Sequence, residues 1–259
     1  MAFFDFHMHS SYSNDGDLTP QELIEMAVRS GITILSLTDH NTTAGVAEMV
    51  QAGEAAGIRV IPGIEINCFY KNIILHVLGY NIDPQNKKIL EIEQDIMEKY
   101  KAASDEIIRL INKTGIDVEN EEVYSKSRYR IATGELIAEV VLQKPGAENN
   151  PLLVPYLPGG NRDDNPYANF YWDFCGQGKP AYVYVEYPSL DYTIAVINEA
   201  GGVPVLGHPG QLLRGIEEML PSICSRGINV SARQPFHKSS MSNFCFKPKA
   251  VSSKILESP

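Results

Sequence analysis

The first 80 residues alternate between stretches with the periodicity of β-strands and stretches with the periodicity of α-helices, which limits the folds open to this chain. Strands are predicted at AFFDFH, ITILSLTD, IRVIPGIEIN and NIILHVLGY, and helices at LTPQELIEMAVRSG and TAGVAEMVQAGEAAG. The first helix has a full set of start signals: Thr19 can cap it, Pro20 fits its first position and Glu22 completes a capping box. Strands that alternate with helices are typical of βαβ units on a parallel sheet, open or closed into a barrel. We therefore predict an α/β fold.

Residues that can bind metal fall where the predicted strands run out into loops. His9 and Asp15 follow the first strand, Asp39 and His40 follow the second, and Glu65 lies near the end of the third. Because catalytic residues of such folds lie where strands run out into loops, we expect these side chains to meet in one site.

His7 and His9 are separated by a single residue in the first predicted strand. Residues two apart in a strand point to the same face, so both imidazoles can converge on one ion. A bare H-x-H pair is more often two histidines that bind nothing, and His76, within an apolar run, could be a hydrogen-bonded core histidine. Taken together with Asp15, TDH, PGIE and PVLGHP, the pair predicts a site for more than one metal ion.

The pattern changes after residue 80. A long charged amphipathic helix is predicted from DPQNKKILEIEQD onwards, a second helix at IATGELIAEVVLQ, and a loop at NNPLLVPYLPGGNRDDNPYANFYWDF. Helix and strand return at YTIAVINEAGGVPVLGHPG. We predict that residues 1–80 and 165–259 form the barrel-like part and that residues 81–164 form a helical insertion over the site.

Composition narrows the classes of partner. A net charge of −10 disfavours long, non-specific binding along duplex nucleic acid, which needs clustered Lys and Arg. A phosphorylated substrate stays possible, because bound metal ions can supply positive charge. The four cysteines form no C-x-x-C pair, and we find neither a signal-peptide pattern nor a run of about 20 apolar residues. We expect a cytoplasmic protein without a membrane partner.

Three segments, DFHMHSSYSNDG, SLTDHNTTAG and IPGIEI, resemble the opening motifs of the PHP (polymerase and histidinol phosphatase) family of metal-dependent phosphoesterases. The resemblance covers residues 3 to about 80 and returns at AGGVPVLGHPG. It is closest to small stand-alone members, which hydrolyse phosphate esters of nucleotides and related molecules. It implies a distorted (β/α)7 TIM-like barrel that holds two or three divalent ions, often Mn, Zn, Fe or Mg, with a helical insertion over the site.

The resemblance also implies a set of metal ligands, all histidines and carboxylates: His7, His9, Asp15, His40, Glu65, His76 and His208. In this assignment His7 and His9 hold one ion, and Glu65 bridges it to a second ion bound by the two later histidines. Asp15 and His40 would hold a third. Water bound to adjacent ions can lose a proton near neutral pH, and the hydroxide formed can attack the phosphate. The ions also neutralise phosphate oxygens, so that no protein nucleophile is needed.

Three further residues are candidates for a catalytic role. Asp39 lies beside His40 and could orient its imidazole. Many close family members carry an Arg-Pro-His motif that grips phosphate, where this chain has KSRYRIATGE. Arg128 and Arg130 could clamp phosphate bidentately, or they could be ordinary solvated charges.

The end of the chain departs from the family. Members finish on a Gly-Ser-Asp-x-His-type motif whose Asp and His complete the first and third metal sites. Here LPSICSRGIN is followed by VSARQPFHKSSMSNFCFKPKAVSSKILESP, which has little strand or helix periodicity. PFH around His237 is only loosely similar to a non-ligand region of the family. We therefore predict a barrel that is incomplete at its C-terminus.

Three functions follow as alternatives. The first is a phosphoesterase acting on small phosphorylated metabolites, such as nucleotides or short oligonucleotides; Asp15, where histidinol phosphatases tend to have His, favours the nucleotide-acting branch. The second is a catalytically impaired remnant that binds metal or phosphate only. The third is an amidohydrolase that cleaves C–N bonds, although its usual bridging lysine and late catalytic Asp have no convincing counterpart. The substrate, native metal and oligomeric state are open.

Overall fold

The structure, a computed structural model, describes residues 3–13, 15–127 and 129–230. Its strands are β1 (Phe3–Met8), β2 (Ile32–Leu37), β3 (Arg59–Tyr70), β4 (Ile73–Tyr80), β5 (Val203–Leu206) and β6 (Asn229–Val230). Its α-helices are α1 (Pro20–Arg29), α2 (Val46–Ala56), α3 (Lys87–Thr114), α4 (Asn120–Tyr124), α5 (Gly134–Leu142), α6 (Pro166–Phe170), α7 (Leu190–Glu199), α8 (Pro209–Leu212) and α9 (Leu220–Cys224). Short 3₁₀ helices span Ala147–Asn149, Val154–Tyr156 and Glu217–Met219, and a π-helix spans Tyr171–Cys175.

The strands form one sheet in which spatial order follows chain order, from β1 to β6. β1, β2 and β3 are parallel, which confirms the βαβ pattern predicted for the first part of the chain. β4 is antiparallel to both β3 and β5, and β5 is parallel to β6. The fold is therefore α/β with a mixed sheet, and the full count of seven barrel units stays a prediction.

A two-residue turn joins β3 to β4. Lys71 and Asn72 both have positive φ, at 47° and 65°, as the central residues of a type I′ hairpin turn do. This turn pairs Asn67 with His76 across the two strands. The hairpin thus brings the second half of β4 back towards the part of the sheet that carries Glu65.

The first two helices pack where the sequence predicts them. Thr19 and Glu22 form the predicted capping box of α1, with Pro20 at its start. Gly57 ends α2 in the left-handed conformation, at φ 70°. α1 packs against β2 and α2 packs against β3, and both helices contribute to a cluster that contains Ile24, Leu35 and Met49.

The long helix α3 connects two hydrophobic clusters. Ile89 and Ile96, in its first half, pack with β3, β4 and α7, whereas Ile108 in its second half packs in a cluster drawn from residues 108–181. The loop predicted around residues 149–174 is partly wrong, because α6 and the π-helix form there and bury Phe170 in that cluster. Apolar side chains to pack against outweighed the local Pro, Gly and Asn content. No helix within the described residues is both long and apolar enough to span a bilayer.

Candidate metal centre

Glu65 is fully buried, and five imidazoles surround its carboxylate. Its Oε2 lies 2.9 Å from His7 Nε2, 3.3 Å from His9 Nε2 and 3.7 Å from His40 Nε2. Its Oε1 lies 3.1 Å from His76 Nδ1 and 2.9 Å from His208 Nε2. A carboxylate buried from water needs charged or hydrogen-bonding partners, and here five imidazoles fill that role.

Backbone pairing places these residues around Glu65. The Glu65 N–H donates to Asp39 O at 3.1 Å and the Asn41 N–H donates to Glu65 O at 2.7 Å, which holds His40 beside β3. On the other side, the Gly207 N–H donates to His76 O at 2.8 Å. The site is therefore built on the sheet itself, which gives its side chains little freedom to move apart.

Asp15 supplies a second carboxylate at the edge of the cluster. Its Oδ1 lies 3.4 Å from His9 Nδ1 and its Oδ2 lies 3.4 Å from His40 Nε2. Ser13 Oγ donates to Asp15 Oδ1 at 2.6 Å and accepts from the His40 N–H at 3.1 Å. Gly16 follows Asp15 because a Cβ at that position would overlap the carbonyl oxygen of Ser10. Asp15 and Ser13 thus lie over the end of β1, beside His9 and His40.

Asp39 is buried and bound to the segment after β1. Its Oδ1 accepts from the Ser10 N–H at 2.6 Å and its Oδ2 accepts from Ser10 Oγ at 2.7 Å. Burial raises the pKa of Asp39 to about 6, against the hydrogen bonds from Ser10 that lower it. His40 Nδ1 has no hydrogen-bond partner in the described part of the chain, so the contacts of Asp39 position Ser10 and the neighbouring His9. A catalytic role for Asp39 stays a prediction.

The charges in the cluster favour a cation between the carboxylates. Burial raises the pKa of Glu65, but the charge of His40 and hydrogen bonds from His208, His7 and His76 outweigh it and hold that pKa well below its usual range. Burial lowers the pKa of His40, yet the charges of Glu65 and Asp15 raise it to about 9. Positive charge is therefore stabilised at the position between the two acidic side chains.

His76 has the opposite tendency. Its burial outweighs the hydrogen bond to Glu65 and lowers its pKa to about 4. The imidazole is consequently neutral near pH 7 and keeps a lone pair for a ligand.

The donor atoms converge closely enough to hold metal ions. Three sets have their ligand atoms within 4.8 Å of one another: His7, His9 and Glu65; His9, Asp15 and His40; and His40, Glu65 and His76. His208 Nε2 lies beside the last set, 2.9 Å from Glu65 Oε1 and 3.3 Å from His76 Nδ1. The Glu65 carboxylate offers only two oxygens to five imidazoles, whereas a divalent cation binds nitrogen and oxygen donors together. The residues therefore fit divalent metal ions.

A cavity of about 650 Å³ opens over this centre and is walled partly by residues between β4 and β5. Glu135 faces it from the first turn of α5, which Thr133 caps through a 3.2 Å hydrogen bond from the Leu136 N–H. Burial, together with the charge of Asp15, raises the pKa of Glu135 to about 7. The arrangement is thus a metal-binding floor with a carboxylate in the wall beside it.

Comparison with known families agrees with this geometry. The model of the PHP domain matches residues 5–146, more than half of the chain and a span that includes His7, His9, Asp15, His40, Glu65 and His76. This chain belongs to the PHP domain family. The resemblance stated from the opening motifs is confirmed.

Curated relatives of this PHP chain act on nucleic acids and nucleotides. A 5′-3′ exoribonuclease of Haemophilus influenzae is 29% identical over 206 residues, which cover 80% of this chain and 68% of that protein. A 3′,5′-nucleoside bisphosphate phosphatase of Chromobacterium violaceum is 27% identical over 220 residues, which cover 82% of this chain and 68% of that protein. Both activities break phosphate ester bonds.

A solved structure shares the fold of this PHP chain. It is described as an amidohydrolase from Chromobacterium violaceum with bound sulfate and no metal. The match has a TM-score of 0.73 and 26% identity, and it covers 88% of this chain and 76% of the other. The α/β architecture is therefore one that PHP and amidohydrolase structures have in common.

Of the two candidate arginines of this PHP chain, Arg130 is described by the structure and does not line the cavity. Arg130 is exposed at the surface, where it pairs with Glu121 at 3.1 Å and lies over the ring of Tyr124 at 4.7 Å. Arg128 lies outside the described residues, as do His237 and the atypical segment from residue 231 onwards. A phosphate clamp formed by these arginines stays a prediction.

Sequence reasoning missed several residues of the site. Ser10 and Ser13 bind the acidic side chains, and Glu135 and Trp172 line the cavity. The serines could have been noticed from the HSSYSND run between the H-x-H pair and Asp15. Glu135 and Trp172 offered no comparable signal, because only the packing of the segment between β4 and β5 brings them over the sheet.

Proposed function

We propose that this chain is a metal-dependent phosphoesterase that hydrolyses phosphate monoesters or diesters of nucleotides, short oligonucleotides or other small phosphorylated metabolites. The observation that carries the proposal is the buried carboxylate of Glu65 between five imidazoles, with Asp15 beside His9 and His40. Membership of the PHP family and the phosphoesterase activities of two curated relatives support the reaction type.

The residues have separate tasks in this proposal. His7 and His9 would hold one ion, Glu65 would be shared between that ion and a second, and Asp15 and His40 would hold a third. His76 and His208 would complete the second site through contacts on the other oxygen of Glu65. Divalent ions held there supply Lewis acidity, which neutralises phosphate oxygens and activates water. Mn, Zn, Fe and Mg are all candidates, because imidazole and carboxylate donors suit each of them to some degree.

The surrounding fold favours a small substrate. We propose that the helices between β4 and β5 act as the insertion over the centre and that the sheet belongs to a (β/α)7 barrel. The walls of the cavity limit the volume beside the centre to about 650 Å³, which suits a nucleotide or the end of a short oligonucleotide. Together with the net charge of −10, this favours such substrates over long duplex nucleic acid.

An amidohydrolase activity is the second candidate, because a structure with the same fold carries that description. Within the described residues, the group between the histidines is a carboxylate, and no lysine lines the cavity. The phosphoesterase is therefore the preferred function.

Phosphate release by the full chain tests the proposal. The chain would be loaded with Mn²⁺ and incubated with three esters in separate parallel reactions. The esters are a nucleoside monophosphate, a 3′,5′-bisphosphate and a short 5′-phosphorylated oligoribonucleotide. We expect release from at least one ester, a loss of at least roughly a hundredfold on chelation with EDTA, and recovery when Mn²⁺ is added back. An amide substrate in the same assay distinguishes the second candidate.

Two outcomes would contradict the proposal. Phosphate release that EDTA leaves unchanged would remove the metal centre from the reaction. A folded chain that retains metal but cleaves none of the esters would favour the impaired remnant, or the amidohydrolase if the amide is cleaved.

A further inference from the structure

The cavity over the metal centre has an aromatic wall that the proposed chemistry does not use. Tyr171, Trp172 and Tyr182 line it, and none of them is among the candidate metal ligands. Trp172, the only tryptophan in the sequence, is 47% exposed. A large aromatic ring left in contact with solvent inside a cavity is a common feature of ligand sites, because burial of its surface then accompanies binding.

The wall is held in place by tight packing behind it. Tyr171 and Trp172 begin the π-helix Tyr171–Cys175, a rare form of helix that occurs frequently at functional sites. A Cβ on Gly134 would lie 2.8 Å from Cys175 Sγ and 3.0 Å from Tyr171 Cδ2, so the absence of a side chain at Gly134 lets α5 approach the π-helix. Phe170 and Phe174 stack at 4.6 Å on the buried side. The wall is therefore a fixed surface.

A polar network adjoins the aromatic wall. Tyr100 Oη accepts from Asn67 Nδ2 at 3.1 Å and lies 3.0 Å from Tyr187 Oη, and these three residues line the same cavity. Asn67 Oδ1 is buried and has no hydrogen-bond partner within the part of the chain that the structure describes. Asn67 follows Glu65 by two residues on β3, roughly 7 Å further along the strand and on the same face. An unpaired acceptor on a residue that lines the cavity makes Asn67 a candidate contact for a ligand.

From these observations, and resting on the proposed phosphoesterase function, we infer that the cavity binds the nucleoside part of the substrate. Trp172, with Tyr171 and Tyr182, forms the surface on which the nucleobase stacks, and Asn67 Oδ1 accepts a hydrogen bond from a hydroxyl or N–H of the nucleoside. Stacking tolerates different bases because each has a flat π-face. The wall therefore selects phosphate esters with an aromatic ring over sugar phosphates that lack one.

Fluorescence of the single tryptophan measures binding directly, by a signal other than phosphate release. AMP and ribose 5-phosphate would be titrated into the full chain, with adenosine and inorganic phosphate as the separated parts. We expect saturable quenching of Trp172 by AMP and by adenosine, and little change with ribose 5-phosphate or inorganic phosphate. Similar responses to AMP and ribose 5-phosphate would overturn the stacking surface.

Kinetics of matched variants provide the second test. We expect Trp172→Ala to lower kcat/KM for AMP by about tenfold while changing that for ribose 5-phosphate by less than about twofold. Trp172→Phe should retain most of the activity on AMP. Tyr192→Ala, at an exposed tyrosine on α7, should leave kcat/KM for both substrates unchanged. An equal effect of Trp172→Ala on both substrates would refute the inference.

The two tests separate this inference from the function on which it rests. Hydrolysis of both esters without quenching by AMP or adenosine would leave the phosphoesterase standing and overturn the nucleobase surface. Quenching by adenosine without hydrolysis of any ester would support the surface and overturn the phosphoesterase.

Discussion

Replacement of Glu65 by glutamine is expected to lower kcat for phosphate ester hydrolysis by at least roughly a hundredfold and to deplete the chain of bound metal. The amide has nearly the same shape as the carboxylate, so the change removes charge and one oxygen donor without opening a cavity. Five imidazoles then lose the buried anion that they share. Phosphate release and elemental analysis of the desalted variant measure the two effects.

The control for this variant is Glu54→Gln, which makes the same change at an exposed carboxylate on α2. It should leave metal content, kcat and thermal unfolding unchanged. If Glu65→Gln retained both metal and activity while remaining folded, the bridging role of Glu65 would be wrong.

Replacement of Asp39 by alanine is expected to lower the free energy of unfolding by about 3 kcal/mol. The carboxylate accepts two short hydrogen bonds from Ser10, and its loss leaves the buried Ser10 N–H without a partner. The segment that carries His9 loses its anchor as well, so that metal affinity should also decrease. Denaturant unfolding and metal titration measure these effects.

Asp39→Asn separates the anchor from the charge. The amide oxygen of the asparagine can still accept from the Ser10 N–H, and its NH₂ group can donate to the Ser10 hydroxyl. We therefore expect the free energy of unfolding to fall by only about 1 kcal/mol. Asp117→Ala, at an exposed carboxylate, is the matched control. If Asp39→Ala lost no more stability than Asp117→Ala, Asp39 would not anchor the segment after β1.

The floor of the candidate site could be anticipated from the sequence because its residues lie on regular elements. In a strand, alternate residues share a face, and the pairing of β1, β2 and β3 then brings His7, His40 and Glu65 to one edge. The start of α1 could also be predicted, because the residues that cap it at Thr19 are close together in the sequence. The individual catalytic and ligand roles of these residues stay predictions.

The remaining parts depend on contacts that no local pattern encodes. The turn at Lys71 and Asn72 lacks the glycine that normally signals a type I′ hairpin, so the reversal between β3 and β4 was not visible. Asp39 has its partner 29 residues away, at Ser10. Trp172 lies in a segment rich in loop-forming residues, and only its packing over the sheet makes it part of a cavity.

Metal stoichiometry tests the central claim most directly. The full chain would be loaded with Mn²⁺ or Zn²⁺, desalted, passed through gel filtration and analysed for metal content beside Glu65→Gln. The proposed centre predicts about two or three tightly held ions per wild-type chain and a clear decrease in the variant. Less than about half an ion per folded wild-type chain, or equal content in both proteins, would contradict a metal centre built around Glu65.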